Sequence, residues 1–279
     1  MSTDLSVLQS ARGHAPDRRG YPHVVLRDAL PEEVVTRIEA AFPDQEAIVR
    51  GRPLESNRAY RLGANRVLRD ASFPPLVRDF FDYHTSTPFW RDIVNIFGAD
   101  IRRQHPELER RIGRSLEDWR VGVPGTPDCD AHADCLWVIN SPVTGVSRVK
   151  DHHIDFPDKI FSGLLYLRDP ADPTPGGELE IYAWRREPRF LRYTALEQDL
   201  DLIERVPYQR NLFCGFMNSA DSVHGISPRP VTERLRRYIN FIVELPFDVF
   251  PVPQANLLTR GLAYLRNRTR GAATQDDYR

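Results

Sequence analysis

In several stretches of the first 118 residues, apolar side chains recur at helical spacing. Val34, Val35, Ile38 and Ala41 recur every three to four positions, which predicts a helix over 31–42. Pro31 suits its first turn. The same periodicity predicts two helical pieces over 73–97, separated near 85–88, and a short helix over 106–112. A short strand is predicted over 21–26, and the polar stretch 44–65 is expected to run over the surface or over the mouth of a site.

From Trp119 onward the pattern changes to short β-type runs separated by proline and glycine. No helical spacing lies between these runs, so they favour an antiparallel sandwich or jelly roll over alternating β/α units. The fold class expected is mainly β with flanking α, with the N-terminal helices packed on the sheet. The predicted strands cover 119–123, 136–140, 161–168, 178–184, 211–218 and 236–245.

The ends of the chain differ from the middle. Residues 1–20 are polar and contain Gly13, Pro16 and Gly20, which predicts a flexible arm. After Pro253, leucines at helical spacing predict a basic amphipathic helix over 254–269. We therefore expect an arm (1–20), a single domain (21–253) and a C-terminal helix with a loose tail (254–279). Within the domain, 21–118 is the helical support and about 119–250 the β core.

Composition excludes some classes of protein. The 279 residues include 38 basic and 39 acidic side chains, so no charge excess calls for a nucleic acid or an anionic membrane as partner. No apolar run approaches the roughly 18 residues that span a bilayer, and the N-terminus lacks a signal-peptide pattern. We expect a cytoplasmic protein with reduced thiols, since three cysteines do not form a disulfide framework. Nothing in the sequence fixes the oligomeric state.

Candidate metal ligands occur in two short segments, DHHIDF at 151–156 and DSVHG at 221–225. On a strand, His153 and Asp155 point to the same face because they are two residues apart. With His224 they would give two imidazoles and one carboxylate, the set that holds a non-haem Fe(II) with three positions open. One H-x-D among eight histidines is unremarkable alone, but both segments lie at predicted strand ends.

Over about residues 136–245 the chain resembles the 2-oxoglutarate-dependent Fe(II) oxygenase superfamily, in its prolyl-4-hydroxylase-like branch. The resemblance rests on four motifs in order: HID at 153–155, SGLLYLRD at 162–169, PGGELEIY at 175–182 and NSADSVHGISP at 218–228 before an arginine-rich strand. It implies a double-stranded β-helix, the cupin-like form of the jelly roll. It also implies Fe(2+) held by His153, Asp155 and His224, with 2-oxoglutarate and O2 converted to succinate and CO2.

The same resemblance implies a basic residue that anchors the far carboxylate of 2-oxoglutarate, about ten residues after the second histidine. Counting from His224 favours Arg234, whereas matching the apolar pattern of the family's strand favours Arg236, which we prefer. Either guanidinium suits a carboxylate, because its planar fork can donate two parallel hydrogen bonds. The alternative is that these arginines only cover a solvent-exposed edge of the sheet. Tyr238, on the same face, stands where many members have a small hydroxylic residue. Tyr166 is expected on the opposite face, in the core.

Other residues are weaker candidates. His152 is expected to point away from His153. Cys129, His132 and Cys135 have metal-like spacing but offer three ligands rather than four, so a surface loop is the better interpretation. Asn218 and Ser222 are candidates to orient His224, and Trp137 and Asn140 to line the pocket, with packing preferred for Trp137.

The predicted function is a Fe(II)/2-oxoglutarate-dependent dioxygenase that hydroxylates, desaturates or cyclises an unactivated C–H of a small molecule, such as an amino acid or a natural-product intermediate. The carboxylate of Asp155 favours these reactions over halogenation, for which the family replaces it by glycine or alanine. The alternatives are a non-catalytic sensor or a zinc-type jelly-roll metal protein, and an oxygenase acting on a protein residue.

Overall fold

A computed structural model describes residues 5–255 of the chain. The α-helices are α1 Glu32–Ala40, α2 Gln45–Val49, α3 Ala64–Arg69, α4 Pro75–His84, α5 Thr87–Gln104 and α6 Leu108–Ile112. The strands are β1 His23–Leu26, β2 Ala59–Gly63, β3 Val121–Gly122, β4 Ala131–Asn140, β5 Lys159–Tyr166, β6 Leu179–Trp184, β7 Phe190–Leu191, β8 Thr194–Ala195, β9 Leu200–Val206, β10 Leu212–Met217, β11 His224–Ile226 and β12 Arg236–Glu244.

Two sheets face each other. The major sheet has the order β1-β10-β5-β12-β4-β2, all antiparallel, with β3 parallel to β4 at one edge. The minor sheet has the order β11-β6-β9. The segment 143–153 pairs with residues 224–232, which include β11, through isolated antiparallel bridges from Val143, Ser147 and His153, so it extends the minor sheet. This is the predicted double-stranded β-helix, with a core that includes Val138, Ile181, Leu212 and Phe216 between the sheets.

The helices pack on the outer face of the major sheet. Strand β12 shows why: Ile239, Phe241 and Val243 belong to the core shared with the helices, while Tyr238 belongs to the core between the sheets. Phe241 lies 6.1 Å from Phe80 of α4 and 5.9 Å from Phe89 of α5, ring centre to ring centre. Burying each such side chain contributes roughly 1.5–3 kcal/mol. The sheet is therefore buried on both faces and holds its inward side chains rigidly.

The N-terminal segment corrects a prediction. Residues 5–20 do not form a loose arm, because Val7 and Leu8 are fully buried in the helical core. Asp92 of α5 accepts hydrogen bonds from Ser6 Oγ at 2.6 Å and from Arg12 Nε at 3.0 Å. Arg18 likewise donates to the buried Asp100 at 2.9 Å. The polar composition of this segment reflects its ion pairs with α5 rather than solvation.

Two further segments contain more structure than the sequence indicated. The stretch 44–65 was expected as a surface run, but it contains α2 and the edge strand β2, which pairs with β4. Strand β9 was not predicted, since its side chains Asp201, Glu204 and Arg205 are charged at an outer edge.

The outer face of the minor sheet is covered by the β7–β8 hairpin and by residues 249–255, through a cluster that includes Tyr182, Phe190 and Phe250. The predicted C-terminal helix and tail lie outside the described residues from 256 onward. Within residues 5–255, none of the helices has the length and apolar character needed to span a membrane.

Candidate metal and cosubstrate site

His153 and His224 lie directly opposite each other on adjacent antiparallel segments. The His153 N–H donates to the His224 carbonyl at 2.8 Å, and the His224 N–H donates back at 2.9 Å. Residues paired in this way project their side chains to the same face. The two imidazole centres are 4.3 Å apart as a result.

Asp155 completes the cluster that the sequence predicted. One ligand atom from each of His153, Asp155 and His224 lies within 4.8 Å of the others. Both histidines are buried, and the Asp155 side chain is 13% exposed. Two imidazoles and one carboxylate are the donor set of a facial Fe(II) site. The residues present therefore fit the metal that the resemblance implies.

The histidines are held in the tautomer that metal binding needs. His153 Nδ1 donates to the carbonyl of Asp151 at 2.6 Å, and His224 Nδ1 donates to the carbonyl of Ser222 at 2.9 Å. Because a carbonyl only accepts, the proton sits on Nδ1 and the lone pair on Nε2. The predicted orienting role of Ser222 therefore falls to its backbone oxygen.

Burial keeps both imidazoles neutral. It lowers the pKa of His153 well below its usual value, with a further contribution from His224, and it lowers the pKa of His224. Burial raises the pKa of Asp155, but nearby positive charge, chiefly that of Lys159, outweighs it and holds that pKa well below its usual value. Neutral imidazoles and an ionised carboxylate are the ligand forms that bind a cation.

Asp155 is bonded through one of its two oxygens. Its Oδ2 accepts a hydrogen bond from Ser162 Oγ at 2.6 Å, and Ser162 Oγ accepts one from Asn218 Nδ2 at 2.9 Å. Its Oδ1 has Lys159 Nζ at 3.7 Å, which exceeds hydrogen-bond length. Sequence reasoning missed Ser162 and placed Asn218 beside His224, whereas the Asn218 side chain donates to Ser162, the residue that donates to Asp155.

Arg236 lies in the core between the sheets and is 1% exposed. Its Nε donates to the Gly177 carbonyl at 2.9 Å and its Nη1 to Asn140 Oδ1 at 3.0 Å. Within the described residues no acidic side chain pairs with it. Three tyrosine rings surround its Cζ instead, Tyr238 at 4.7 Å, Tyr166 at 4.9 Å and Tyr208 at 5.1 Å. A buried charge without a counter-charge is costly, so this environment favours an anionic ligand.

Unpaired polar atoms around Arg236 show where that ligand would bind. Arg236 Nη2, Asn140 Nδ2 and Tyr166 Oη are buried and have no hydrogen-bond partner in the structure. Leaving each of them unbonded costs about 1–3 kcal/mol. All three can donate, which matches the acceptor-only oxygens of a carboxylate. The cradle therefore fits the far carboxylate of 2-oxoglutarate.

Gly177 keeps the space beside Arg236 open. A Cβ at this position would lie 3.2 Å from Arg236 Cδ, and the backbone has φ +80°, which disfavours other residues. A glycine at this position therefore satisfies both the positive φ and the close approach of Arg236.

The position of Tyr166 corrects a prediction. Its Cα is opposite Tyr238 on β12, and its ring lies in the core between the sheets, whereas Leu165 packs in the helical core. The expectation that Tyr166 would lie on the face opposite to the site was wrong. Strand β5 is apolar on both faces, so its alternation gives no signal for either assignment.

The remaining candidates lie elsewhere. Arg234 is 52% exposed and is near Asp169, outside the buried cradle. His152 stacks edge-on against Tyr182 at 4.8 Å, on the outer side of the minor sheet. Cys135 and Trp137 are buried in the helical core, and His132 contacts the Thr126 carbonyl at 3.2 Å. Among the described residues, Cys129, His132 and Cys135 form no metal-binding group.

A second group of potential ligands, Asp17, His23 and Glu204, joins the edges of β1 and β9. Arg19 already binds it, donating to Asp17 Oδ2 at 2.8 Å and to Glu204 Oε2 at 2.9 Å. This group is therefore an ion-pair network that links the two sheets. A groove of about 620 Å³ also lies on the helical layer near Phe73 and Leu76, and it includes none of the residues of the predicted site.

No protein-family model and no curated protein matches the sequence. Among solved structures, a prolyl 4-hydroxylase from Phytophthora capsici is 13% identical, with 96% of this chain and 72% of that chain covered at a TM-score of 0.47. A Pseudomonas putida prolyl-4-hydroxylase is also 13% identical, with 81% and 93% covered at a TM-score of 0.39. A 2OG-Fe(II) oxygenase family member from Burkholderia pseudomallei is 12% identical, with 80% and 84% covered at a TM-score of 0.37.

These neighbours carry the names of the superfamily and the branch that the sequence resembles. At such identities the likeness is one of fold. The activity of this chain therefore has to be argued from its own side chains.

Proposed function

We propose that this protein is a Fe(II)/2-oxoglutarate-dependent dioxygenase that hydroxylates, desaturates or cyclises an unactivated C–H of a small molecule. The observation that carries the proposal is the pairing of two features in one β-helix interior. One is the cluster of His153, Asp155 and His224. The other is the buried guanidinium of Arg236, which has no acidic partner in the described part of the chain.

The metal ligands are His153, Asp155 and His224. When bound there, Fe(II) with 2-oxoglutarate and O2 supplies the oxidising equivalent and releases succinate and CO2. The protein holds the ligand geometry through the Nδ1 hydrogen bonds of the two histidines. It also excludes water, since both imidazoles are buried.

Arg236 anchors the far carboxylate of 2-oxoglutarate, with Tyr166 Oη donating a second hydrogen bond. Tyr238 supports Arg236 by its ring face rather than by its hydroxyl, since the Arg236 Cζ lies over that ring. Arg234 is not an anchor in this proposal, because its side chain is half exposed. The roles of Arg236 and Tyr166 together give the cosubstrate one orientation relative to the metal ligands.

The experiment is a succinate assay on the purified protein with Fe(II), 2-oxoglutarate and a panel of amino acids and other small metabolites. We expect succinate to form only when Fe(II) and 2-oxoglutarate are both present, and its rate to rise with one class of panel compound. His153→Ala should abolish it, and His152→Ala, which changes the neighbouring histidine outside the cluster, should not. Equal succinate formation by wild type and His153→Ala would contradict the ligand assignment.

A further inference from the structure

The carboxylate of Asp155 has an asymmetric environment. Its Oδ2 accepts the Ser162 hydroxyl at 2.6 Å, a short bond to an ionised acceptor. Within residues 5–255 its Oδ1 accepts no hydrogen bond, and Lys159 Nζ is 3.7 Å from it. The two oxygens are therefore not equivalent, and only Oδ1 has both lone pairs available.

Ser162 has no freedom to turn its hydroxyl elsewhere. Asn218 Nδ2 donates to Ser162 Oγ at 2.9 Å, so the serine proton must point toward Asp155. Ser162 is 3% exposed and Asn218 is fully buried, so water does not compete for these bonds. The backbone of Asn218 is held on both sides, because its carbonyl lies 3.1 Å from His105 Nε2 at the end of α5 and its N–H donates to the Ile160 carbonyl at 3.0 Å.

The difference between the two oxygens matters because a bound metal would have only a few open coordination positions. Three ligand atoms leave three of six positions, and the two-point chelate of 2-oxoglutarate plus O2 uses all three. If Asp155 bound through both oxygens, it would take a fourth position and leave none for O2. A short hydrogen bond to one carboxylate oxygen competes with metal binding at that oxygen and so favours binding through the other.

We propose that Ser162, oriented by Asn218, is a positioning residue that limits Asp155 to one coordinating oxygen, Oδ1, and so keeps the third open position available for O2. This inference rests on the proposed function. It assigns a task to two residues, Ser162 and Asn218, that lie outside the ligand set.

The test uses the full-length protein loaded with Fe(II) and 2-oxoglutarate without O2, with nitric oxide as the probe of the third position. Wild type, Ser162→Ala and Ser162→Thr are compared by the visible band of the chelate, by the electron paramagnetic resonance signal of the nitric oxide complex, and by succinate formation in air. We expect Ser162→Ala to keep the chelate band but to lose at least tenfold in nitric oxide affinity and in succinate rate. Ser162→Thr, which restores a hydroxyl, should stay within about threefold of wild type.

Asn218→Ala provides a second variant if Ser162→Ala is poorly folded. It leaves the Ser162 hydroxyl present but no longer oriented, so we expect a loss in the same direction and of smaller size. Unchanged nitric oxide binding in Ser162→Ala would overturn the inference, and so would an equal loss in Ser162→Ala and Ser162→Thr. Absence of the chelate band from wild type would instead contradict the proposed function.

Discussion

At the scale of single residues, some residues of the site can be identified from the sequence and others cannot. The order of the motifs that contain His153, Asp155, His224 and Arg236 can be recognised from the sequence alone. The choice between Arg236 and Arg234 could not be made by counting, and it depends on burial, which is 1% exposure for Arg236 against 52% for the Arg234 side chain. Ser162 was missed because a small hydroxylic residue in a strand has no distinctive spacing.

Arg236→Ala should raise the apparent KM for 2-oxoglutarate by roughly 10- to 100-fold, because charge-assisted hydrogen bonds contribute about 1.5–3 kcal/mol. Arg234→Ala is the matched control and should change KM by less than about twofold. Steady-state succinate assays over a range of 2-oxoglutarate concentrations measure both. The assignment of the anchor would be wrong if Arg234→Ala produced the larger increase.

Tyr166→Phe should weaken the binding of 2-oxoglutarate without lowering the stability of the fold. Its hydroxyl is buried without a partner, so removing it should leave the free energy of unfolding unchanged or raise it by up to about 1 kcal/mol. The KM for 2-oxoglutarate should rise roughly 3- to 10-fold, since one donor to the carboxylate is lost.

Tyr182→Phe is the control for that variant. Tyr182 Oη donates to the buried Glu180 at 2.8 Å, so its loss should lower stability and leave the KM for 2-oxoglutarate unchanged. Urea unfolding and the same succinate assay separate the two variants. A Tyr166→Phe protein with wild-type KM would remove Tyr166 from the cradle.

At the scale of elements, the sequence predicted those whose apolar pattern is simple. Helices α1, α4 and α5 and strands β5, β6, β10 and β12 lie where periodicity placed them. Strand β9 and the segment 5–20 did not follow from the pattern, since their stability comes from charged contacts with distant elements. Arg19, for example, reaches Glu204 of β9, and such pairings are not encoded in local spacing.

Asp92→Ala should test whether residues 5–20 are structural. Asp92 is 8% exposed in its side chain and accepts hydrogen bonds from Ser6, Arg12 and Tyr83. Removing it deletes the hydrogen bonds from three side chains to one buried carboxylate, so we expect a loss of about 2 kcal/mol in the free energy of unfolding. Asp79→Ala, at an exposed position of α4, should change it by less than about 0.5 kcal/mol. Equal effects in urea titrations would show that the N-terminal segment contributes little.

At the scale of the whole molecule, two sheets enclose the site and the helices cover the major sheet from outside. The class of fold could be predicted from the run of short strands, but the pairing of segment 143–153 with residues 224–232 could not. That pairing joins residues that are far apart in the sequence, from His153 and His224 to Val143 and Thr232. A single sequence does not indicate which residues so far apart will pair in the sheet.

Stability of the metal-free protein should fall as the pH drops below about 6.5. Burial lowers the pKa of His105, which lies between the helical layer and the site strands. The unfolded chain therefore gains a proton near pH 6.5 that the folded chain accepts only at lower pH, so the stability present above pH 6.5 is lost on acidification. Urea midpoints between pH 7.5 and 5 measure this.

His105→Gln should reduce the dependence of those midpoints on pH, because glutamine can donate to the Asn218 carbonyl but does not titrate. A pH dependence as steep as that of wild type would show that His105 is not responsible for it.

The central claim is that one interior binds both Fe(II) and 2-oxoglutarate, and an anaerobic absorption titration tests it most directly. Fe(II) and then 2-oxoglutarate are added to the purified metal-free protein, and the weak visible charge-transfer band of the chelate is followed. We predict that the band forms in wild type, requires both additions, is absent from Asp155→Ala, and saturates at much higher 2-oxoglutarate in Arg236→Ala. A folded wild-type protein that gives no band would contradict the account and favour a β-helix that binds metal without oxidising a substrate.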